Sequence, residues 1–268
     1  MFLLLTSLLL AFDADEATEP QLVEALEDVD PGTRRDALEE LGKRGLLQHE
    51  AAIVDVALTD PDPQVRRAAM ASLEEMGAKG TLDVCEHMLI SDVDERNRTK
   101  CLAWLERKGP DTGSEAVTHA ATKDPSAKVR RKAVIIIGKR GWLSGADALM
   151  SATEDADPGV ALEAWRSIVR LGDLEQRARV HELLATSTDV ELKRGLLKAI
   201  GENPLPQDYE PLVAALRELD RDVAILAARA LGELGDERAA PVLRELAAAH
   251  TDKKVAAEFG EAATKLGG

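Results

Sequence analysis

The stretch DPQVRRAAMASLEEMG, residues 62–77, contains the pattern that decides the fold. Its apolar side chains recur every three or four positions, a spacing that places them on one face of an α-helix. They are Val65, Ala69, Met70, Leu73 and Met76. Asp62 is typical of a helix N-cap, and Pro63 suits the first helical position. Gly77 is typical of the left-handed residue that ends a helix, so the stretch predicts one complete amphipathic helix.

The same pattern occurs in eight repeats at intervals of 31 or 32 residues. Its first stripe position, here called the anchor, is occupied by Thr33, Val65, Asn97, Val129, Val160, Leu192, Val223 and Val255. A glycine stands twelve residues after seven of these anchors, and only Pro204 departs from the pattern. The stretches between these patterns, such as residues 46–58 and 238–249, carry the other helix of each repeat, which comes first in its hairpin. The repeats cover residues 18–267. They therefore predict an all-α solenoid of about eight helical hairpins that bury their apolar faces against their neighbours.

The composition agrees with a helical protein and narrows its function. Aromatic residues make up only 3% of the 268 residues while Leu and Ala are abundant, which favours helices over β-sandwiches and barrels. The net charge of −15 argues against a general nucleic-acid or anionic-membrane binder, because such proteins attract phosphates with Lys and Arg. Two cysteines exclude a disulfide-rich scaffold and a four-cysteine zinc module.

The first residues form an apolar run, from Phe2 to Phe12, that is shorter than the roughly 20 residues needed to span a bilayer. Its length and position are typical of a secretory signal peptide, although no Lys or Arg precedes it. We therefore predict a protein exported to the bacterial periplasm or the extracellular space. Residues 1–17 would be the leader and an acidic spacer, and residues 18–268 the solenoid. The alternative is a cytoplasmic protein in which the run packs against the first repeat.

The recurring motif Asp-x-x-Val-Arg-x-x-Ala-x-x-x-Leu-Gly resembles HEAT repeats, in particular the short bacterial HEAT-like repeats of phycobilisome lyases. The resemblance covers nearly the whole chain after residue 18 and implies an armadillo-like helical scaffold that binds another protein. It also implies a ladder of ion pairs between successive repeats, made by the basic residue after the anchor and an acidic residue five positions before an anchor. The ladder positions are Arg34, Arg66, Arg98, Arg130 and Lys193, with Asp28, Asp60, Asp92, Asp124 and Asp155.

The resemblance further implies that the second helix of each hairpin lines the inner face of the solenoid. At about 100° per residue, offsets 2, 6 and 10 from the anchor point away from the apolar stripe. These 24 positions hold 12 bases and 5 acids, although the chain as a whole is acidic. We predict that an acidic segment of a partner protein binds there, or else that these bases only stabilise helix C-termini and the ladder. The predicted site comprises Arg131, Ile135, Lys139, Arg166, Arg170, Lys198 and Arg229.

An enzymatic function is the alternative to a scaffold, because the resemblance also includes lyase-like and cofactor-handling proteins. The chain contains no Gly-x-Ser-x-Gly motif, phosphate-binding loop or His-Glu-x-x-His motif. Its two His-Glu pairs, at His49 and His181, stand four repeats apart, too far to share a metal. We therefore predict a non-enzymatic monomer with no catalytic residue, metal or cofactor. Cys85 and Cys101 fall on the two helices of one hairpin, at positions typical of core residues. The sequence leaves open whether they form a disulfide.

Overall fold

The computed structural model describes residues 12–108 and 112–267. Within these residues the chain forms sixteen α-helices and no strand, arranged as eight successive hairpins. The hairpins are α1 (Glu19–Ala25) with α2 (Pro31–Lys43), α3 (Glu50–Thr59) with α4 (Pro63–Met76), α5 (Thr81–Ser91) with α6 (Glu95–Arg107), α7 (Ser114–Lys123) with α8 (Ala127–Arg140), α9 (Ala146–Ala152) with α10 (Pro158–Leu171), α11 (Leu174–Thr186) with α12 (Val190–Glu202), α13 (Tyr209–Ala215) with α14 (Arg221–Leu234), and α15 (Ala239–Ala249) with α16 (Lys253–Gly267). The prediction of an all-α solenoid fold built from helical hairpins is confirmed.

The second helices of seven hairpins begin at an aspartate whose side chain caps the helix. Asp62 accepts hydrogen bonds from two backbone N–H groups, at 2.7 and 3.3 Å, and so satisfies donors that the first turn of α4 leaves free. The same cap is made by Asp30, Asp94, Asp157, Asp189, Asp220 and Asp252. Gly77 ends α4 at φ 65°, a conformation that glycine adopts without strain. Gly267 does not act as the predicted helix stop because it is still within α16, and Gly109 lies outside the described residues.

The chain divides into two compact units, the first ending at Ala116 and the second beginning at Val117, within α7. In the first unit α2 packs against α4; in the second unit α8, α10, α12, α14 and α16 pack against each other in chain order. Most first helices pack against the second helix of their own hairpin. Leu38, Ala69 and Leu73 are fully buried in the first unit, so the apolar stripe read from the sequence forms the core.

Glycine permits the closest contacts between second helices. A Cβ atom on Gly42 in α2 would lie 3.0 Å from the Cα atom of Ser72 in α4. On Gly138 in α8 it would lie only 2.5 Å from the Cβ atom of Ser167 in α10, well inside van der Waals contact. Both glycines stand nine residues after an anchor, opposite a small residue of the next repeat. These helix backbones therefore approach to a distance that a larger side chain does not allow.

The turn after α12, where Pro204 replaces the usual glycine, is closed by a buried ion pair. Asp208 accepts hydrogen bonds from Nε and NH2 of Arg177 in α11, at 2.9 and 2.5 Å, and both side chains are fully buried. The same guanidinium donates to the carbonyl oxygens of Val169 and Asn203, at 2.7 and 2.8 Å. At the end of α12 the carbonyl oxygen of Asn203 thus receives its donor from a side chain rather than from the backbone of a glycine turn, and the same side chain reaches Val169 in the last turn of α10.

The described part of the acidic spacer lies against the first hairpin. The guanidinium of Arg44 donates hydrogen bonds to the carbonyl oxygens of Ala17, Asp15 and Ala14, at 2.7, 2.9 and 3.1 Å, respectively. Ala17 is buried. Apart from Phe12, the predicted leader lies outside the described residues. Among the helices of the two described ranges, none is both long enough and apolar enough to cross a bilayer.

Candidate functional site

The ladder positions of the first unit make buried ion pairs between successive hairpins. Arg34 in α2 donates to both carboxylate oxygens of Asp60, at 2.7 and 2.9 Å. Arg66 in α4 donates to both carboxylate oxygens of Asp92, at 2.9 and 2.7 Å. Each guanidinium also donates to a carbonyl oxygen in its own hairpin turn, that of Asp28 for Arg34 and that of Asp60 for Arg66. Such two-pronged, charge-assisted contacts fix the relative position of neighbouring hairpins.

The second unit has ladder pairs of the same kind. Arg130 donates through Nε and NH2 to the carboxylate of Asp155, at 2.6 and 2.8 Å. Lys193 donates through Nζ to Oε1 of Glu218, at 2.7 Å. Glu218 was absent from the predicted ladder, although it stands five residues before the anchor Val223 and the repeat register points to it.

The remaining ladder positions make local hydrogen bonds within their own units. The carboxylate of Asp28 accepts the backbone N–H two residues further on, at 2.7 Å. Arg98 donates to the carbonyl oxygen of Asp92 at 2.8 Å. The carboxylate of Asp124 accepts the backbone N–H of Ser126, also at 2.8 Å. These contacts close the hairpin turns in which the residues lie.

Burial and hydrogen bonding act in opposite directions on the ladder carboxylates. Burial disfavours the charged form of Asp92, but hydrogen bonds from Arg66, a backbone N–H and a side-chain amide outweigh it and lower the pKa below its usual range. The hydrogen bonds from Arg130 lower the pKa of Asp155 against the opposing effect of burial. Both carboxylates are therefore charged at neutral pH and can hold their basic partners.

The seven predicted partner-binding residues all lie on second helices of the second unit, and none of them is buried. We call these seven residues the basic face. Helix α8 carries Arg131, Ile135 and Lys139, α10 carries Arg166 and Arg170, α12 carries Lys198, and α14 carries Arg229. Because these four helices pack in succession, the side chains share one side of the helical layer.

Glu163 in α10 joins two bases of the basic face. Its Oε1 atom lies 3.2 Å from Arg131 NH2 in α8 and 2.8 Å from Arg166 NH1 in its own helix. The Glu163 side chain is only 8% exposed, whereas 52% of the Arg131 side chain reaches solvent. The carboxylate therefore holds the two guanidinium groups in place from below and leaves part of each accessible.

The other bases of α10, α12 and α14 differ in their partners. Arg229 Nε donates to Glu258 at 2.8 Å, while Arg170 lies 3.7 Å from Glu202. Lys198 is exposed and makes no ion pair with any residue of the two described ranges. The surplus of bases is therefore smaller than the sequence count predicted. Glu163 and Glu258 escaped that count because they stand three residues after their anchors, outside the offsets considered.

A surface hollow of about 390 Å³ lies at the start of α8, within the basic face. Arg131 and Ile135 line it, together with Lys128, Lys132 and Asp157. Lys128 and Lys132 were absent from the predicted site, although the basic run over residues 128–132 was a signal for them. The hollow combines positive charge with an apolar wall, which suits a carboxylate group carried on an apolar stem.

The residues considered for metal or covalent chemistry have structural contacts. In the part of the chain that the structure describes, no three His, Cys, Asp or Glu side chains converge as metal ligands would. His49 lies 2.7 Å from Glu19, and His181 lies 2.6 Å from a carboxylate oxygen of the buried Asp208. Cys85 and Cys101 are free thiols and are both buried. Contact with Cys101, together with burial, raises the pKa of the Cys85 thiol.

The repeats assign the chain to a family. The family model for HEAT repeats matches residues 19–106, 114–189 and 178–264, so the chain belongs to the HEAT-repeat family. No curated protein sequence matches it. The family defines a helical scaffold of a type that generally binds other proteins, and it leaves the partner of this chain unspecified.

Solved structures with this fold share little sequence with the chain. YibA of Escherichia coli aligns with a TM-score of 0.54 and 18% identity, over 94% of this chain and 93% of its own. Kap121p, in a structure bound to Pho4p, aligns with a TM-score of 0.64 and 13% identity, over 95% of this chain and 34% of its own. A chain from the complex of CpcE and CpcF of phycocyanin lyase from Nostoc sp. PCC7120 aligns with a TM-score of 0.39 and 16% identity, over 96% of this chain and 98% of its own. At these identities the likeness shows the fold alone.

Proposed function

We propose that the chain is a non-enzymatic protein-interaction module whose basic face binds an acidic segment of a partner protein. The observation that carries this proposal is the hollow at the start of α8, which Arg131 and two neighbouring lysines line together with the apolar side chain of Ile135. Lys198 adds an exposed positive charge on α12. An acidic segment with interspersed apolar residues has the complementary chemistry.

The distribution of charge between the units supports this choice of partner. Residues 1–116 contain 25 acidic and 12 basic side chains, a net charge of −13. Residues 117–268 contain 24 acidic and 22 basic side chains, a net charge of −2. The basic face therefore belongs to the unit that repels an acidic segment least. Its solvent-accessible ion pair of Arg170 with Glu202, at 3.7 Å, is weak in water, so carboxylates of a partner can compete for this base.

A fluorescein-labelled peptide of alternating Glu and Leu residues tests the proposal by fluorescence anisotropy. We expect it to bind the full chain, and to bind less tightly as salt is raised, because the attraction is electrostatic. The double substitution Lys198→Glu and Arg229→Glu should weaken binding by at least about tenfold, since each reversal replaces attraction by repulsion. The matched control is Arg179→Glu with Arg244→Glu, which makes the same change of charge at exposed positions of the first helices α11 and α15.

Equal loss in both double variants would show that net charge, rather than the basic face, attracts the peptide, and the proposal would then fail. A lyase-like or cofactor-handling enzyme is the competing function. It predicts that protein purified from its native source carries a bound chromophore or metal, which absorption spectroscopy and elemental analysis would detect. Protein free of both, with the peptide bound at the basic face, is the result expected for the scaffold.

A further inference from the structure

The turns between the two helices of each hairpin in the first unit expose apolar residues to water. Val29 is 96% exposed and Val93 is 88% exposed, and Pro61 is exposed at the equivalent position of the hairpin between them. Each of the three stands directly before the aspartate that caps the second helix. Burial of an apolar side chain is favourable, so the exposed row leaves favourable burial unused. We call this row and the hollows beside it the hairpin edge.

Two hollows lie between the turns of the hairpin edge. One, of about 380 Å³, lies between the first and second hairpins and is lined by Val23, Leu26, Val56 and Pro61 among others. The other, of about 310 Å³, lies between the second and third hairpins and is lined by Leu58, Pro61, Met88 and Val93 among others. Pro61 separates the two hollows. The hairpin edge thus offers one partly apolar seat for each step between hairpins.

The exposed charged residues that line the first hollow are all acidic. Glu27, Asp28 and Asp55 are exposed beside the first hollow. The arginines that line the hollows, Arg34 and Arg66, are buried, and their guanidinium groups are already bonded to Asp60 and Asp92. They therefore neutralise ladder carboxylates and leave the charge of the rim unbalanced. The unit as a whole carries a net charge of −13.

We propose that the hairpin edge of the first unit binds a basic, proline-containing segment of another protein in the polyproline II conformation. Apolar side chains of the segment occupy the two hollows, and its Lys or Arg side chains face Glu27, Asp28 and Asp55. The spacing supports this conformation. Packed helices lie about 8–10 Å apart, and in polyproline II every third side chain returns to the same side after about 9 Å. An apolar residue at every third position therefore matches successive seats.

This inference is independent of the basic face, because it concerns the other unit and a partner of opposite charge. The probe is a fluorescein-labelled peptide of Leu-Pro-Arg triplets, titrated with the full chain and followed by fluorescence anisotropy. The substitution Val93→Ser should weaken binding by roughly fivefold, because an apolar contact in the second hollow is lost. Val93 is exposed, so the circular dichroism spectrum and the urea midpoint should stay unchanged.

The control substitution is Leu219→Ser. Leu219 is fully exposed, stands at the same position before the cap of α14, and lies in the unit with a net charge of only −2. It should leave binding of the Leu-Pro-Arg peptide unchanged, as should Lys198→Glu with Arg229→Glu. A peptide of the same composition with its leucines grouped at one end should bind at least about tenfold less tightly, because it can fill only one seat.

Three results would overturn the proposal. The first is binding of the spaced and grouped peptides with equal affinity, which would indicate charge attraction without seats. The second is tighter binding of a Leu-Pro-Glu peptide than of the Leu-Pro-Arg peptide. The third is self-association in sedimentation that Val93→Ser abolishes, which would assign the hairpin edge to a second copy of this chain.

Discussion

Arg66 illustrates at the residue scale how a ladder side chain stabilises the fold. Its side chain is 10% exposed and that of its partner Asp92 only 2%. The substitution Arg66→Ala leaves a buried carboxylate without its partner and should lower the free energy of unfolding by about 3 kcal/mol, measured by urea denaturation. Arg107→Ala is the control, because Arg107 and Glu74 also pair across two helices at 2.7 Å but are 59% and 31% exposed. It should change stability by less than about 0.5 kcal/mol, and equal effects would contradict this account.

The pH dependence of this pair has a defined sign. The pKa of Asp92 is lowered in the folded protein, so its stabilising effect is present at neutral pH and is lost as the pH falls below about 4. In Arg66→Ala, burial acts without the guanidinium and should raise that pKa above its usual range. Protonation then relieves the variant at a pH above about 4, where the wild type still has its ion pair. The difference between the two urea midpoints should therefore shrink as the pH falls from 7 towards 4. A constant difference would rule out this assignment.

The two cysteines allow a chemical test of burial. Cys85 and Cys101 are fully buried, and their contact, together with burial, raises the pKa of the Cys85 thiol. The thiolate is the reactive form, so both side chains should resist N-ethylmaleimide in the native protein and react completely in urea. Mass spectrometry counts the adducts. Rapid native labelling would show that the hairpin of α5 and α6 opens readily. Protection that persists in urea until a reductant is added would show a disulfide instead.

At the scale of the helices, the close contact of α8 with α10 can be tested by adding one methyl group. Gly138→Ala places a Cβ atom 2.5 Å from the Ser167 Cβ atom, and the helices must separate. We expect a loss of about 2 kcal/mol in urea denaturation. Gly260→Ala in α16 is the control, because a Cβ atom there meets nothing within 4 Å. That change should stabilise the protein by up to about 1 kcal/mol, since alanine favours helix. If Gly138→Ala were equally benign, the proposed reason for this glycine would be wrong.

The sequence predicts second helices better than it predicts the joints between hairpins. Caps such as Asp62 and stops such as Gly77 are local signals, and local signals are readable without knowledge of tertiary contacts. The buried Arg177 is different. Arginine is rarely buried completely, so a pattern-based argument places it on the surface of α11. Only the three-dimensional structure shows that Asp208, 31 residues later, pairs with it where Pro204 replaces a glycine.

The surroundings of the basic face could be predicted only in part. Offsets from the anchor correctly place all seven residues on second helices with access to solvent. They do not reveal the role of Glu163, which lies at the border of the apolar stripe of α10. Whether such a side chain is buried, or reaches a base on the next helix, depends on how the neighbouring helix packs. Lys128 and Lys132 were missed for the related reason that the hollow at the start of α8 is a property of packing.

At the scale of the whole molecule, the unequal charge of the two units predicts a response to salt. The first unit carries −13 and repels itself when ions are scarce, whereas the second carries −2. Added salt screens that repulsion, so the thermal midpoint should rise between about 10 mM and 150 mM NaCl.

The size of this rise should depend on which unit loses charge. Neutralising Glu27 and Asp55 as Gln and Asn in the first unit should reduce the rise. Neutralising Glu175 and Glu182 as Gln in the second unit should have a smaller effect, because fewer uncompensated acids surround them. Equal responses of the two double variants would show that repulsion is not concentrated in the first unit.

The buried pair of Arg177 and Asp208 has a consequence for how such a chain can change over evolutionary time. Repeat proteins gain and lose whole repeats by recombination, because each repeat contacts only its neighbours. A crossover between positions 177 and 208 would inherit one member of this pair without the other and strand a charge in the interior. We therefore expect homologues to differ in repeat number before or after this joint, while the segment from α11 to α13 is inherited as one block.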